Sequence, residues 1–224
     1  MIGDLAHICN RGFEKSAIFR DQSDYMRFVE TLYKINNIEG SLRFKGKNIF
    51  QDLPQQNKIV DILIWCLMPN HFHLLLHEAF DGGIVEFTKR LGNSYTKYFN
   101  IRYKRSGYLF QNAAKIVSIE NQSQMNYIPL YIDLNPLDLA KDKTISENEE
   151  RSLHFLENYQ WASFGDYHGK NHFPEIINHD LFYELFDTNQ KQYKKEIKEW
   201  ITPDRRESLQ FNYYTTSPAV NLAG

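Results

Sequence analysis

The stretch "MPNHFHLLL" (68–76) places His71 and His73 two positions apart in a run of Leu and Phe. In an extended strand, side chains alternate between faces. The two imidazoles then share one face, while Phe72, Leu74 and Leu76 share the other and pack a core. Two imidazoles on one strand face can converge on a single divalent metal ion. His77 continues that face two strand repeats beyond His73 and reads as a surface or supporting histidine. A metal site needs further donors, and "NQSQMNYIPLYIDL" (121–134) offers them. Tyr127, Tyr131 and Asn135 follow one another at helical spacing and line one helix face. A phenol there is a nucleophile in waiting, and an amide oxygen one turn away is a hard metal ligand.

The elements that must position these groups follow from periodicity. "LAHICN" (5–10) reads as a short strand, broken by "NRG". "DQSDYMRFVETLYKINN" (21–37) carries apolar residues at helical spacing, with Ser23 as the expected cap. Residues 39–58 lose the pattern and read as an inserted loop. "KIVDILIWCL" (58–67) and "HFHLLLHE" (71–78) form two antiparallel strands joined at Met68-Pro69-Asn70. A helix follows over 84–103, a hairpin or strand over 107–119, and a helix over 121–134 capped by Ser123. That helix ends before Asn135-Pro136, because a residue preceding proline avoids the α region.

The order β-α-β-β-α-β predicts an α+β fold of the ferredoxin-like type. The sheet is antiparallel, with helices on one face and the other face open. The first domain is expected over 1–140. Residues 141–224 form an extension with a helix over 179–201 and a polar tail.

The chain has 224 residues and a net charge of −2, which speaks against indiscriminate binding to nucleic acid. The charge is uneven, however. Lys89, Arg90, Lys97, Arg102, Lys104, Arg105 and Lys115 follow one another with no acid among them, a candidate footprint for phosphates. Cys9 and Cys66 lie in apolar runs and read as buried free thiols. No apolar run is long enough to cross a membrane and no signal peptide is evident, so a cytoplasmic location is expected.

"MPNHFHLLL" followed by "YIDLNP" (131–136) resembles the HUH-type Y1 transposases, the IS200-like family, and within it the REP-associated tyrosine transposases. "HICNRGFEKSAIFRD", "GYLFQ" and "YQWASF" add to the resemblance, which runs from about residue 5 to about 167. It implies a ferredoxin-like sheet with the histidine pair on a central strand and a nucleophilic tyrosine on a later helix. Residue by residue, it implies that His71, His73 and Asn135 hold one Mg²⁺ or Mn²⁺ and that Tyr131 is the nucleophile, with Tyr127 the alternative. Arg11 and Gly12 correspond to an Arg-Gly associated with recognition of single-stranded guide sequences.

The implied reaction is metal-dependent nicking and strand transfer of single-stranded DNA at hairpin or palindrome flanks, through a 5′-phosphotyrosine. The implied protein is a monomer or a homodimer. The basic residues from Lys89 to Lys115 are the expected backbone contacts. Some positions depart from the pattern. "FQNAAK" (110–115) stands where an arginine is usual, Asp138 replaces a basic residue, and Pro129 interrupts the tyrosine helix. The alternative is therefore a catalytically inactive, domesticated relative that still binds hairpin DNA. An RNA-recognition domain is disfavoured because 108–119 lacks the basic-Gly-aromatic pattern. A cupin is disfavoured because Trp65 stands where a glycine is expected.

Overall fold

The computed structural model describes residues 1–40, 57–146, 148–206 and 208–209. Most of the expected insertion and the polar tail lie outside these residues. The described elements run β1 (Leu5–Arg11), α1 (Gln22–Ile35), β2 (Val60–Met68), β3 (His71–Glu78), α2 (Gly83–Arg102), β4 (Lys115–Ser118) and α3 (Gln122–Leu134). Five further helices follow: α4 (Lys143–Ser146), α5 (Glu149–Asn158), α6 (Phe164–Tyr167), α7 (His179–Leu185) and α8 (Gln190–Trp200). The sheet order is β2-β3-β1-β4, the order a split βαβ ferredoxin-like fold requires, and β1 pairs antiparallel with β3.

The chain forms two compact units. The first comprises Met1–Ile62 and Leu67–Ile116, the second Leu63–Cys66 and Val117–Gly224. In the first, one sheet face packs on α1 and α2. Phe72 meets Phe28 with ring centroids 5.0 Å apart, and Phe28, Phe19 and Tyr95 cluster beside it. Asp24, fully buried, binds the two helices together. Its carboxylate accepts from the Tyr98 and Tyr103 hydroxyls and the Arg20 amide, and it pairs with Arg102 at 2.7 Å. Asn36, also buried, accepts from the amides of Ile59 and Val60 and donates to the Val60 carbonyl, so it fixes where β2 begins.

Within the second unit, Ala162 bridges Cys66, the Ser163 amide donates to the Trp65 carbonyl, and the Tyr167 hydroxyl donates to the Leu63 carbonyl. The "YQWASF" segment thus satisfies backbone groups of β2 at what is otherwise a sheet edge.

Several expectations change in detail. Asp21, not Ser23, caps α1, because its side chain accepts from the amides of Ser23 and Asp24. Asn121, not Ser123, caps α3 in the same way, accepting from Gln124. The helix expected over 179–201 is two. Asp187 adopts φ 46° and Asn189 caps α8 with its side chain, so Phe186–Asn189 closes one helix and opens the next. The strand expected over 107–119 shrinks to β4, and Phe110 makes only an isolated bridge to Gly12. The histidine face of the sheet is not open: His7, Cys9, His73 and Leu75 are all buried. The reason is visible in β2, a continuous apolar run rather than an alternating one, as a strand buried on both faces requires.

Candidate metal and nucleic-acid site

The site is built on the pairing of β1 with β3. Cys9 lies opposite His73, Arg11 opposite His71, and His7 opposite Leu75. Directly opposed residues share a face, so His7, Cys9 and Arg11 join the two histidines there. His71 and His73 sit edge to face with centroids 5.0 Å apart, and His73 and His7 are stacked at 5.1 Å. His7 Nε2 lies 2.9 Å from His73 Nδ1, and His71 Nδ1 lies 2.7 Å from the side-chain oxygen of Asn70. Ligand atoms of His7, Cys9 and His73 all lie within 4.8 Å of one another, a donor set that could hold a metal ion.

Electrostatics favour the metal-binding protonation state. Burial, then the neighbouring His71, His7 and Arg11, pushes His73 well below the ordinary imidazole pKa. Burial, with Lys115 nearby, lowers His7 to about 3. Both rings are neutral at pH 7, and only a neutral imidazole has a lone pair for a metal. The donor chemistry therefore fits a divalent ion. His77 lies apart from this cluster, half-buried, with Nδ1 3.5 Å from Asp61.

The turn at Pro69-Asn70 is held by the segment after β1. The Ile18 and Phe19 amides donate to the Pro69 carbonyl, the Gly12 amide donates to the Asn70 carbonyl, and Asn70 Nδ2 donates to the Lys15 carbonyl. Gly12 has a steric cause of its own, since a Cβ there would collide with the Ser16 carbonyl oxygen.

The basic run divides. Arg102 is held by Asp21 and Asp24. Arg90 pairs with Glu86 at 2.7 Å and donates to the carbonyls of Ile35 and Asn37. Arg105 donates to the Tyr108 carbonyl and lies over the Phe99 ring. Lys104 is exposed at φ 49°, just past the end of α2. Lys115 lies on β4 and loses basicity through burial. Lys89 and Lys97 are exposed, have no ion pair with a described residue, and line an open groove with Gly92, Asn93, Tyr108 and Asn112. Tyr108 is 85% exposed at its rim. Sequence reasoning missed His7, Asn70 and Tyr108. The signal for His7 was its strand parity with Cys9 and Arg11.

In the second unit, α3 continues through Pro129, whose missing amide leaves one turn without its hydrogen bond. Tyr127 is buried at 5% exposure, whereas Tyr131 is half-buried. Tyr131 and Asn135 border one small pocket with Leu134, Asp138, Arg206 and Leu209. Asn135 Nδ2 donates to the Tyr131 carbonyl at 2.6 Å, which occupies the amide nitrogen in binding backbone.

The family model described as "Transposase IS200 like" matches residues 22–135, half of the chain. The chain belongs to the IS200-like transposase family. No curated protein matches it. A solved structure of a REP-associated tyrosine transposase bound to a REP hairpin is similar at 13% identity, with 80% of this chain and 87% of that one covered and a TM-score of 0.44. Among the described residues of this IS200-like chain, no helix is long and apolar enough to cross a membrane.

The helix that carries Tyr131 is anchored from its other side. Asp133, fully buried, accepts from the Tyr193 hydroxyl of α8 at 2.6 Å. Burial raises its pKa to about 7. The folded state therefore holds a proton that the unfolded chain releases near pH 4. Stability contributed by this group is full below about pH 4, falls as pH rises towards 7, and is level above. We expect Asp133→Asn, which keeps an acceptor for Tyr193, to remove this decline. The effect between about pH 4.5 and 7.5 is on the order of 3 kcal/mol. Urea unfolding followed by tryptophan fluorescence measures it, and a variant with the wild-type pH profile contradicts it.

Proposed function

We propose that this transposase-family chain nicks and rejoins single-stranded DNA at hairpin or palindrome flanks, with Tyr131 as the nucleophile. The observation that carries this reading is the shared strand face of His71 and His73 in a chain of this family, with burial keeping His73 uncharged. The resemblance assigns His71, His73 and Asn135 as metal ligands, and Mg²⁺ or Mn²⁺ held by them would supply Lewis acidity towards the scissile phosphate.

The Tyr131 oxygen forms a bond to the scissile phosphorus as its proton leaves. The bond from phosphorus to the 3′ oxygen breaks, and that oxygen takes up a proton as a free 3′-hydroxyl. The 5′-phosphotyrosine keeps a phosphodiester bond, so a later attack by a 3′-hydroxyl rejoins strands without a nucleotide cofactor. Half-burial of Tyr131 supports its role over Tyr127, whose side chain is enclosed. The catalytic domain is 1–140 in this reading, and the extension 141–224 secures α3 through Tyr193.

Arg11, opposite His71, offers a cation beside the histidines for the phosphate, and Gly12 lets the chain turn tightly behind it. The groove beneath Lys89 and Lys97 suits a single strand, with phosphates on the lysines and a base stacked on exposed Tyr108. A side chain at Gly92 would project into open space along this groove, so glycine keeps the floor low there.

Substitutions at the tyrosines and at the lysines separate the two parts of this reading. Tyr131→Phe abolishes the SDS-resistant adduct with a hairpin oligonucleotide in Mg²⁺ or Mn²⁺ and leaves binding within about twofold, while Tyr127→Phe keeps the adduct. An adduct from Tyr131→Phe removes the assignment. A wild-type chain that forms none on its own genomic flanking sequence favours the inactive DNA-binding relative. Replacing Lys89 and Lys97 by Gln lowers the dependence of single-stranded DNA affinity on log salt by about 1.4, roughly 0.7 for each phosphate no longer neutralised. An unchanged slope assigns the strand to another surface.

A further inference from the structure

Both histidines of the pair have a second nitrogen engaged by a neighbour. His71 Nδ1 lies 2.7 Å from Asn70 Oδ1, an atom that can only accept, so His71 carries its proton on Nδ1. Asn70 is itself fixed by its Nδ2 donating to the Lys15 carbonyl at 3.1 Å. His73 Nδ1 lies 2.9 Å from His7 Nε2, in a pair of stacked and buried rings. One proton lies between those two nitrogens. If it belongs to His73 Nδ1, both members of the pair present Nε2 lone pairs in the same tautomer.

We propose that Asn70 and His7 are positioning residues that hold His71 and His73 as Nδ1–H tautomers, with both Nε2 atoms directed to the metal. This rests on the metal-dependent reading above. A metal-bound imidazole generally donates its other N–H to a neighbour that fixes ring orientation and raises ligand basicity. Here an amide oxygen does so for one ring and a third imidazole for the other. The two neighbours come from different places in the sequence: Asn70 from the β2–β3 turn, and His7 from β1 through the strand register.

The same three side chains, His7, Cys9 and His73, could instead enclose an ion themselves. The spacing argues for the hydrogen bond. Two nitrogens on one tetrahedral zinc at about 2.0–2.1 Å lie roughly 3.3 Å apart, beyond the observed 2.9 Å, which is a normal hydrogen-bond length. His7, Cys9 and His73 are all buried, so an ion enclosed by those three would have no open position for a phosphate, whereas His71, the partner of His73 in the pair, is partly exposed.

The test uses the full chain. Imidazole ¹⁵N correlation spectra of the metal-free protein report tautomers directly. Wild type shows Nδ1–H at His71 and His73, and His7→Phe loses that preference at His73 alone. Titration with Mn²⁺, followed by the loss of its free-ion electron paramagnetic resonance signal, gives affinity. His7→Phe and Asn70→Ala weaken it roughly 10–100-fold. Asn70→Asp, which keeps the acceptor for His71 but loses the bond to the Lys15 carbonyl, recovers part of it, and Cys9→Ser stays near wild type. A folded His7→Phe protein that binds Mn²⁺ as wild type does overturns the inference and leaves the metal reading standing. Cys9→Ser losing as much affinity as His7→Phe overturns it in favour of an ion within the trio. Nε2–H tautomers at His71 and His73 in the metal-free wild type overturn it whatever the metal affinity.

Discussion

The register between β1 and β3 decides which side chains the site contains. Because Cys9 lies opposite His73 and Arg11 opposite His71, every odd-numbered residue of β1 shares the histidine face. A slip of one residue would send His7 and Arg11 to the helical side and bring Ile8 and Asn10 to the imidazoles. The register is held at both ends. At one end the Glu78 amide donates to the Asp4 carbonyl. At the other the Gly12 amide donates to the Asn70 carbonyl. Alternation then does the rest, with Phe72, Leu74 and Leu76 packing one side while the other is left for chemistry.

That chemistry side combines burial with uncharged donors. Removing His7 and His73 from water costs most for their charged forms, so burial itself keeps them neutral. The face is closed along His7, Cys9, His73 and Leu75 and only partly covered at Arg11 and His71. In the proposed function, Arg11 at that partly covered end is the cation that would meet a phosphate approaching the histidines. On α3, Asp133 faces inward to Tyr193 while Tyr131 keeps part of its surface. The two residues lie on different sides of one helix, so the Tyr193 contact holds α3 without using the side of the helix that carries Tyr131.

Much of this was legible in the sequence. The two-residue spacing of His71 and His73 determined their shared face, and element order determined the ferredoxin-like sheet. Less was legible where tertiary contacts decide. Ser23 and Ser123 are good caps by type, yet Asp21 and Asn121, two residues earlier, reach the free amides first. Arg90 and Arg102 read as part of a basic run, but Glu86, Asp21 and Asp24 claim them, leaving Lys89 and Lys97 along the groove. The contact of His7 with His73 was not legible because it comes from the residue across the sheet, which no local pattern reveals. The burial of the histidine face was written in the unbroken apolar run of β2, whose pattern is that of a strand covered on both sides.

The proposed chemistry stands or falls on whether His71 and His73 together hold one divalent ion. Electron spin echo modulation of the Mn²⁺-loaded chain reads this without an activity assay, since it counts imidazole nitrogens bound to the ion. Two coupled imidazoles are expected in the wild type, one in His71→Ala and one in His73→Ala. A spectrum with no imidazole coupling, or one unchanged by either substitution, would contradict shared binding by the pair.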